Sequence, residues 1–283
     1  MNPAISPPTS TLTPSLTLCA DDFGMSDGVD DAILRLVERG LLTAVSCMSL
    51  GPCWARDARA LADLAQGRCD LGLHLDLTEF AADTVRHPLG RLIARAYLGR
   101  LDRAALAASI EQQLDAFEAA AGLPPAFVDG HQHVHQLPGV RELLLQALAR
   151  RGGSAPGPWI RNTRPALGGR WNDSDDRKHR VIAALGSRAL QRACARQGLR
   201  QNADMLGVYP FDGSAADYEA RLQRWLDRVG PATLLMCHPA SRPAPGDAIA
   251  AARLREYGVL SDPGLLRRLE ARGLGPRPLS ALR

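Results

Sequence analysis

Four short apolar segments of this 283-residue chain end in aspartate or histidine, and this arrangement limits the folds open to it. The first ends in the adjacent carboxylates Asp21 and Asp22. The other three end in His74, in the segment that begins at His131, and in His238. Buried parallel strands read as nearly continuous apolar runs, and α/β enzymes gather their catalytic groups at the carboxyl ends of such strands. The pattern therefore predicts parallel strands that deliver acidic and imidazole side chains to one edge.

The composition is that of a globular protein with an aliphatic core, since 46% of residues are hydrophobic, 5% aromatic and 23% charged. The net charge of +4 is spread along the chain and not clustered with aromatic residues, which argues against nucleic-acid binding. Lys178 is the only lysine and sits in a charged stretch, which argues against Schiff-base chemistry. None of the six cysteines forms a C-x-x-C pair, so we expect free thiols and a cytoplasmic location. The sequence contains no run of about 18 apolar residues, so it predicts no membrane span.

Strand-like and helix-like segments alternate with short connections, which predicts a parallel β/α architecture with seven to eight strands. We expect one domain over residues 15–283, preceded by a flexible amino-terminal tail at residues 1–14. Residues 76–101 and 165–177 lack a clear period and are predicted to be long loops, which in compact domains are usually functional. A single helix is predicted to follow over residues 177–197.

Two polar clusters could carry chemistry. At the end of a strand the chain turns, so the adjacent carboxylates of Asp21 and Asp22 can both face one cleft; alternatively, one of them caps the next helix. The segment from Asp129 to His135 contains three imidazoles at alternate positions. These imidazoles would share one face of an extended segment, which suits a metal ion, although a solvated histidine-rich turn is the alternative.

The remaining polar candidates are single residues. His74 lies on an apolar strand and could be a core residue whose ring nitrogens are hydrogen bonded within the protein. Pro239 holds the backbone of His238 extended. His87 and His179 lie in polar surroundings and are predicted to be at the surface. Taken together, aspartate and histidine at the ends of widely separated strands are the ingredients of a metal-dependent hydrolase.

The chain resembles the YdjC-like carbohydrate deacetylases, which include chitooligosaccharide deacetylases and hopanoid-biosynthesis-associated proteins. The resemblance extends over roughly residues 15–262 and rests on six blocks in the expected order. The blocks are Ala20-Asp-Asp-Phe-Gly24, Leu41-Leu-Thr43, Gly72-Leu-His-Leu75, Asp129-Gly-His-Gln-His-Val-His135, Cys237-His-Pro239 and Arg255-Glu-Tyr257. The resemblance implies an α/β fold, a distorted TIM-like (β/α) barrel of the glycoside hydrolase/deacetylase type.

The resemblance also implies roles for individual residues. Asp22, His74 and His131 would hold a divalent metal ion, Asp21 would act as general base, and His238 would donate a proton to the departing amine. The two aspartates could exchange roles. A site of one carboxylate and two imidazoles with open positions is typical of catalytic metal sites.

Five further residues are candidates for supporting or substrate contacts, namely Asp129, His133, His135, Arg161 and Arg255. The two arginines could hold acidic or hydroxyl-rich substrate groups, or simply pair with surface carboxylates. Gln132 stands where chitooligosaccharide deacetylases can carry histidine, which puts a role for that position in doubt.

The resemblance names Mg²⁺ as the metal, but two imidazoles favour Zn²⁺ or another transition metal. The implied reaction is removal of N-acetyl groups from acetylated amino sugars or from a glycolipid. A vestigial sugar-binding barrel, a pathway partner without catalysis of its own and another metal-dependent C–N hydrolase are the alternatives. Related proteins often dimerise, so a homodimer stays open.

Overall fold

The structure is a computed structural model that describes residues 13–152, 157–166 and 173–282. Its central element is one sheet of parallel strands in the order β5-β4-β3-β2-β1-β7-β6. The seven strands in the described residues are β1 Leu16–Phe23, β2 Ala44–Cys47, β3 Asp70–Leu75, β4 Phe127–Gly130, β5 Trp159–Ile160, β6 Asp204–Leu206 and β7 Thr233–Cys237. Because all strands are parallel, their carboxyl ends lie at one end of the sheet.

Helices follow most strands and pack on the outer face of the sheet. They are α1 Asp27–Glu38, α2 Trp54–Ala65, α3 Leu89–Tyr97, α4 Arg103–Ala121, α5 Val140–Arg151, α6 Ser174–Ala184, α7 Ser187–Arg196, α8 Ala215–Leu226, α9 Ala250–Leu260 and α10 Leu265–Ala271. Local sequence explains several of the ends. Ser26 and Asp102 cap the amino termini of α1 and α4 through their side chains, and Gly122 ends α4 in the left-handed conformation.

The sheet curls until its two edges meet. Isolated parallel bridges join Ile160 to Gln201 and Pro165 to Met205, between the β5 and β6 sides of the sheet. The amide of Met205 donates to the Arg164 carbonyl at 2.7 Å. These contacts produce the distorted (β/α) barrel that the resemblance implied.

Side chains alternate between the helix-facing surface and the barrel interior, as strand geometry requires. At the amino-terminal end of the interior, the rings of Phe127 and Trp159 stack with centroids 4.1 Å apart. Gly72 faces the same space, because a Cβ at this position would lie 2.5 Å from the Phe127 ring. Leu279 belongs to the same cluster.

The carboxy-terminal segment closes this amino-terminal end. The Arg277 carbonyl accepts hydrogen bonds from the hydroxyls of Thr17 and Thr43 at 2.8 and 3.2 Å. The amide of Ser280 donates to the buried Asp70 carboxylate at 3.0 Å. One end of the barrel is thereby sealed, and the other end is left to the polar strand ends.

Three sequence-based predictions are wrong at the level of elements. Residues 76–101 contain helix α3, which begins directly after Pro88. The single helix predicted over 177–197 is two helices that are separated at Gly186. The loop predicted to extend to residue 177 ends earlier, because α6 begins at Ser174. Strand β6 and helix α9 were not predicted.

Other expectations are confirmed or lie outside the described residues. All six cysteines are free. In the described part of the chain no helix has the length and apolarity needed to cross a membrane. Residues 1–12 and 167–172 are outside the described ranges. The flexible tail therefore stays a prediction, as does the domain division at residue 15.

Candidate metal centre and active site

The carboxyl ends of β1, β3, β4 and β7 surround a cavity of about 380 Å³. Five side chains that the sequence analysis singled out line it: Asp21, Asp22, His74, His131 and His238. They lie far apart in the sequence and meet because parallel strands end at the same edge.

Asp22 owes its orientation to an irregular backbone at the end of β1. The pairing of β1 with β2 shifts between Ala20 and Phe23, where one extra residue is accommodated. Asp22 takes up this bulge with a φ of 72°, in the left-handed region that non-glycine residues rarely adopt. Successive carboxylates, which would face opposite sides of a regular strand, therefore both reach the cavity.

Asp22, His74 and His131 each offer one ligand atom, and these atoms all lie within 4.8 Å of one another. Asp22 Oδ1 is 2.9 Å from His131 Nδ1 and 3.3 Å from His74 Nε2. Asp21 lies outside this group of three. Donor type, spacing and burial fit a divalent cation, and the two nitrogen donors favour a transition metal over Mg²⁺.

Neighbouring polar groups fix these three side chains. His74 Nδ1 is 2.6 Å from Asp129 Oδ1 and 2.8 Å from the Ser46 hydroxyl, so Nε2 is left to point at Asp22. Arg253 donates from Nη2 to Asp22 Oδ2 at 2.7 Å, while its Nε donates to Asp247. Carboxylate-oriented histidines of this kind are characteristic of metal sites.

Charged neighbours shift the pKa of each of the three side chains. Burial opposes protonation of His74, but the Asp129 carboxylate outweighs it and raises the pKa of His74 to about 10. Burial likewise opposes protonation of His131, and Asp22 raises the pKa of that imidazole to about 9. Burial disfavours ionised Asp22, yet Arg253 and His131 hold the pKa of its carboxyl well below the usual value.

Asp21 occupies a different environment from Asp22. Both of its oxygens accept hydrogen bonds of 2.6 Å from the Arg161 guanidinium, which is completely buried. Arg161 also lies 2.6 Å from Asp129 Oδ2, so it bridges the two carboxylates. Burial opposes ionisation of Asp21, but Arg161 outweighs burial and holds the pKa of the carboxyl below its usual value. Arg161 therefore keeps the Asp21 carboxylate ionised beside the candidate metal site.

His238 faces Asp21 across the cavity, with Nε2 3.9 Å from Asp21 Oδ2. Its backbone amide donates to Glu256 Oε2 at 2.6 Å, and Tyr209 donates its hydroxyl proton to Glu256 Oε1 at 2.7 Å. Its Nδ1 lies 3.9 Å from Glu256 Oε1. Glu256 thus fixes the backbone of His238 without hydrogen bonding to the imidazole.

The histidine-rich segment is not extended, so the prediction of three imidazoles on one face is wrong. His131–Gln136 forms a 3₁₀ turn in which Gln132 and His133 have φ values of 52° and 61°. His133 lines the cavity, and burial holds the pKa of its imidazole well below the usual value. His135 turns inward and bonds through Nε2 to the Arg161 carbonyl at 2.9 Å; burial lowers its pKa to about 4.

Three other sequence-based expectations concern residues outside this group. His179 is buried and not at the surface, with Nε2 donating to the Thr163 carbonyl at 3.0 Å. Arg255 does not line the cavity; its Nη2 donates to the Phe211 carbonyl at 2.7 Å. His87 is half-buried in the segment that was predicted to be a loop.

Sequence reasoning missed several residues of the site, most of them outside the strand ends. Arg253 and Glu256 lie one helical turn apart on α9, so they share the face that is turned to the cavity region, whereas Arg255 does not. Recognition of α9 as a helix would have separated Arg253 from Arg255. Phe211 also lines the cavity, and no sequence pattern marked it; Lys178, which the sequence analysis considered only for Schiff-base chemistry, lines it as well.

The fold and the site together define a (β/α) barrel that gathers two carboxylates and three imidazoles at the carboxyl ends of its strands. The family model described as YdjC-like protein matches residues 15–271, and the chain belongs to this family.

Named relatives agree with this assignment. The chain is 32% identical to a carbohydrate deacetylase of Mus musculus over 68% of this chain and 65% of the mouse protein. It is 27% identical to a chitooligosaccharide deacetylase of Serratia marcescens over 91% of this chain and 95% of that protein. A crystal structure titled as a putative cellobiose-phosphate cleavage protein from Enterococcus faecalis V583 has the same fold. It gives a TM-score of 0.65 and 17% identity over 95% of this chain and 98% of that chain.

Proposed function

We propose that this protein is a metal-dependent carbohydrate N-deacetylase that hydrolyses the acetamide of an acetylated amino sugar or of a glycolipid. The observation that carries the proposal is the convergence of Asp22, His74 and His131 beside Asp21 and His238 in one cavity. The names of the mouse and Serratia relatives support the reaction class.

In the proposed site, Asp22 Oδ1, His74 Nε2 and a ring nitrogen of His131 would hold the cation. A divalent cation bound there supplies Lewis-acid chemistry that polarises the acetamide carbonyl and increases the acidity of water. Mg²⁺ follows from the family resemblance, and Zn²⁺ or another transition metal follows from the donor set.

The protein's own groups move the protons. Asp21, kept ionised by Arg161, accepts a proton from the attacking water as the new C–O bond forms. The ion pair with Arg161 makes Asp21 a weaker base but ensures that its carboxylate is unprotonated at neutral pH. His238 gives a proton to the amide nitrogen as the C–N bond breaks, so acetate and a free amine leave. General acid and base groups each contribute about 100- to 10,000-fold.

The proposal also covers the cellular location of the protein and the size of its substrate. Six free cysteines are consistent with a reducing compartment, which supports a cytoplasmic protein. The cavity of about 380 Å³ falls within the range of about 300–1,000 Å³ typical of small-molecule sites.

The decisive experiment measures acetate release from a panel of N-acetylated amino sugars and glycolipids, with metal-free protein reloaded with Mg²⁺, Zn²⁺ or Co²⁺. We expect activity with at least one metal and its loss in Asp22→Ala. Arg268→Gln, which removes an exposed partner of Asp262, is the matched control and should keep full activity. Metal binding without acetate release from any member of the panel would contradict the proposal and favour a sugar-binding barrel.

A further inference from the structure

The His238 imidazole lacks the hydrogen bonds to carboxylates that orient His74 and His131. Its Nδ1 has no hydrogen-bond partner among the described residues. The carboxylate oxygens on its two sides, Asp21 Oδ2 and Glu256 Oε1, are both 3.9 Å away, which is beyond hydrogen-bond distance. His74, by contrast, has a carboxylate 2.6 Å from its Nδ1. Something other than a hydrogen bond must therefore hold the ring of His238.

Phe211 is the aromatic side chain that packs against this ring. The centroids of the Phe211 and His238 rings are 5.2 Å apart, and their planes are inclined by 85°. This is the edge-to-face arrangement that aromatic pairs prefer. Both residues line the cavity, so the contact lies at the site and not in the distant core.

The backbone of Phe211 is strained at the point where its ring contacts His238. Its φ is 65°, a left-handed conformation that is unusual for a bulky residue. Such conformations persist only where surrounding contacts impose them, often at functional sites.

Two cations hold the strained segment in place. Arg255 donates from Nη2 to the Phe211 carbonyl at 2.7 Å. Lys178 donates to the Tyr209 carbonyl at 2.6 Å, and its Nζ stands 4.5 Å from the centroid of the Phe211 ring. Lys178 is half-buried on α6 and Arg255 lies on α9, so the segment is fixed from two separate helices.

We propose that Phe211, held in place by Lys178 and Arg255, is the positioning residue that orients the His238 imidazole toward the nitrogen of the scissile amide. This inference rests on the proposed function, in which His238 delivers a proton to that nitrogen. The ring contact restricts rotation of an imidazole that no hydrogen bond restrains. It also explains why a strained aromatic residue stands at this point of the cavity wall.

The kinetic test uses leaving groups of different quality. An amide needs a proton on its departing nitrogen, whereas 4-nitrophenyl acetate releases a stable anion and does not. On an acetylated amino sugar that the wild type hydrolyses, Phe211→Leu should lower kcat at least about 10-fold and change KM less than about 2-fold. Phe211→Leu and His238→Gln should each lower turnover of 4-nitrophenyl acetate much less than turnover of the amide, because this ester needs no proton on its leaving group.

A double variant separates action through His238 from a general structural effect. In the His238→Gln background, Phe211→Leu should lower amide turnover less than about 2-fold further, because residues that act as a unit are not additive. Equal losses on both substrates, full additivity, or an effect confined to KM would each overturn the proposal. Tyr97→Leu removes an exposed aromatic ring away from the cavity and is the matched control.

A spectroscopic test of the contact between Phe211 and His238 does not depend on catalytic turnover. In protein with isotopically labelled histidine, the ring signals of His238 are identified by their loss in His238→Gln. Phe211→Leu should shift these signals through loss of the ring current and leave those of His179 unchanged, and Tyr97→Leu should shift neither. If the wild type released no acetate from any sugar, the proposed function would fail, while unchanged His238 signals in Phe211→Leu would overturn the positioning role itself.

Discussion

Arg161 balances the charge of two buried carboxylates with a single guanidinium. Its guanidinium is completely buried and pairs with both Asp21 and Asp129. Removal of one member of a buried ion pair leaves an uncompensated charge, which costs about 3–5 kcal/mol. We therefore expect Arg161→Met to lower the free energy of unfolding by about this amount, as measured by urea denaturation.

The size of that effect depends on burial, and an exposed pair of the same kind tests this. Arg268 lies 2.7 Å from Asp262, but both side chains are largely exposed, at 50% and 41%. Surface pairs contribute about 0–1 kcal/mol, so Arg268→Met should hardly change the unfolding midpoint. Equal effects of the two substitutions would mean that Arg161 does not neutralise the interior.

His179 should make stability depend on pH. Burial lowers the pKa of its imidazole to about 4, whereas an unfolded histidine has a pKa near 6.5. Between these values the unfolded chain binds a proton that the folded chain does not, so stability falls as the pH drops from about 6.5 to about 4. Complete loss of this contribution amounts to about 3 kcal/mol. The measurement is the unfolding free energy across this pH window.

The comparison is with His179→Gln, whose amide can still donate to the Thr163 carbonyl but does not titrate. Other buried histidines, including His135, contribute in both proteins, so the difference between the two pH profiles isolates His179. Parallel profiles would show that the His179 imidazole accepts a proton in the folded state as easily as in the unfolded one.

At the scale of elements, the strand ends were predictable because two independent constraints agree there. An apolar run of strand length fixes the element, and a polar residue at its end fixes the edge to which the side chain is delivered. Asp21, His74 and His238 follow this logic, and the structure brings them to one cavity. The bulge at Asp22 was not predictable in detail, although a turn at the strand end was.

The elements that were missed lack one of these constraints. Helix α3 begins after Pro88 and contains Gly90, two residue types that ordinarily indicate loops, although Leu89, Leu92, Ile93 and Ala96 follow helical spacing. The left-handed residues at Gln132 and His133 depend on tertiary contacts, which no local pattern records. His179 lies in a charged segment, so its burial could not be inferred from its neighbours.

Gly72 and Gly90 provide a matched test of how elements pack. A Cβ on Gly72 in β3 would press into the Phe127 ring, whereas a Cβ on Gly90 in α3 meets nothing within 4 Å. Overpacking costs about 1–3 kcal/mol, so Gly72→Ala should destabilise the protein by that amount. Gly90→Ala should be neutral or should stabilise by up to about 1 kcal/mol, because alanine favours helix. The measurement is the thermal unfolding of both variants. A Gly72→Ala protein as stable as wild type would show that the interior near Phe127 is loosely packed.

At the scale of the whole molecule, the two ends of the barrel differ in structure: one end is closed and the other carries the cavity. The amino-terminal end contains the stacked aromatic rings and is closed by the carboxy-terminal segment, and the opposite end carries the polar cavity. Strand β1 links them, and the six steps from Leu16 to Asp22 span about 20 Å at strand geometry. The core that supports the fold is thereby separated from the groups that are proposed to perform the chemistry.

This separation predicts independent responses to changes at the two ends. Leu279→Ala, at the sealed end, should lower the free energy of unfolding by about 2–5 kcal/mol. It should leave the metal dissociation constant, measured by isothermal titration, within about 2-fold of wild type, because distant sites are usually additive. Asp22→Ala should instead abolish the stabilisation by metal, about 2.7 kcal/mol at a metal concentration 100 times the dissociation constant. A Leu279→Ala protein that folds but binds metal tenfold more weakly would show that the sealed end controls the geometry of the site.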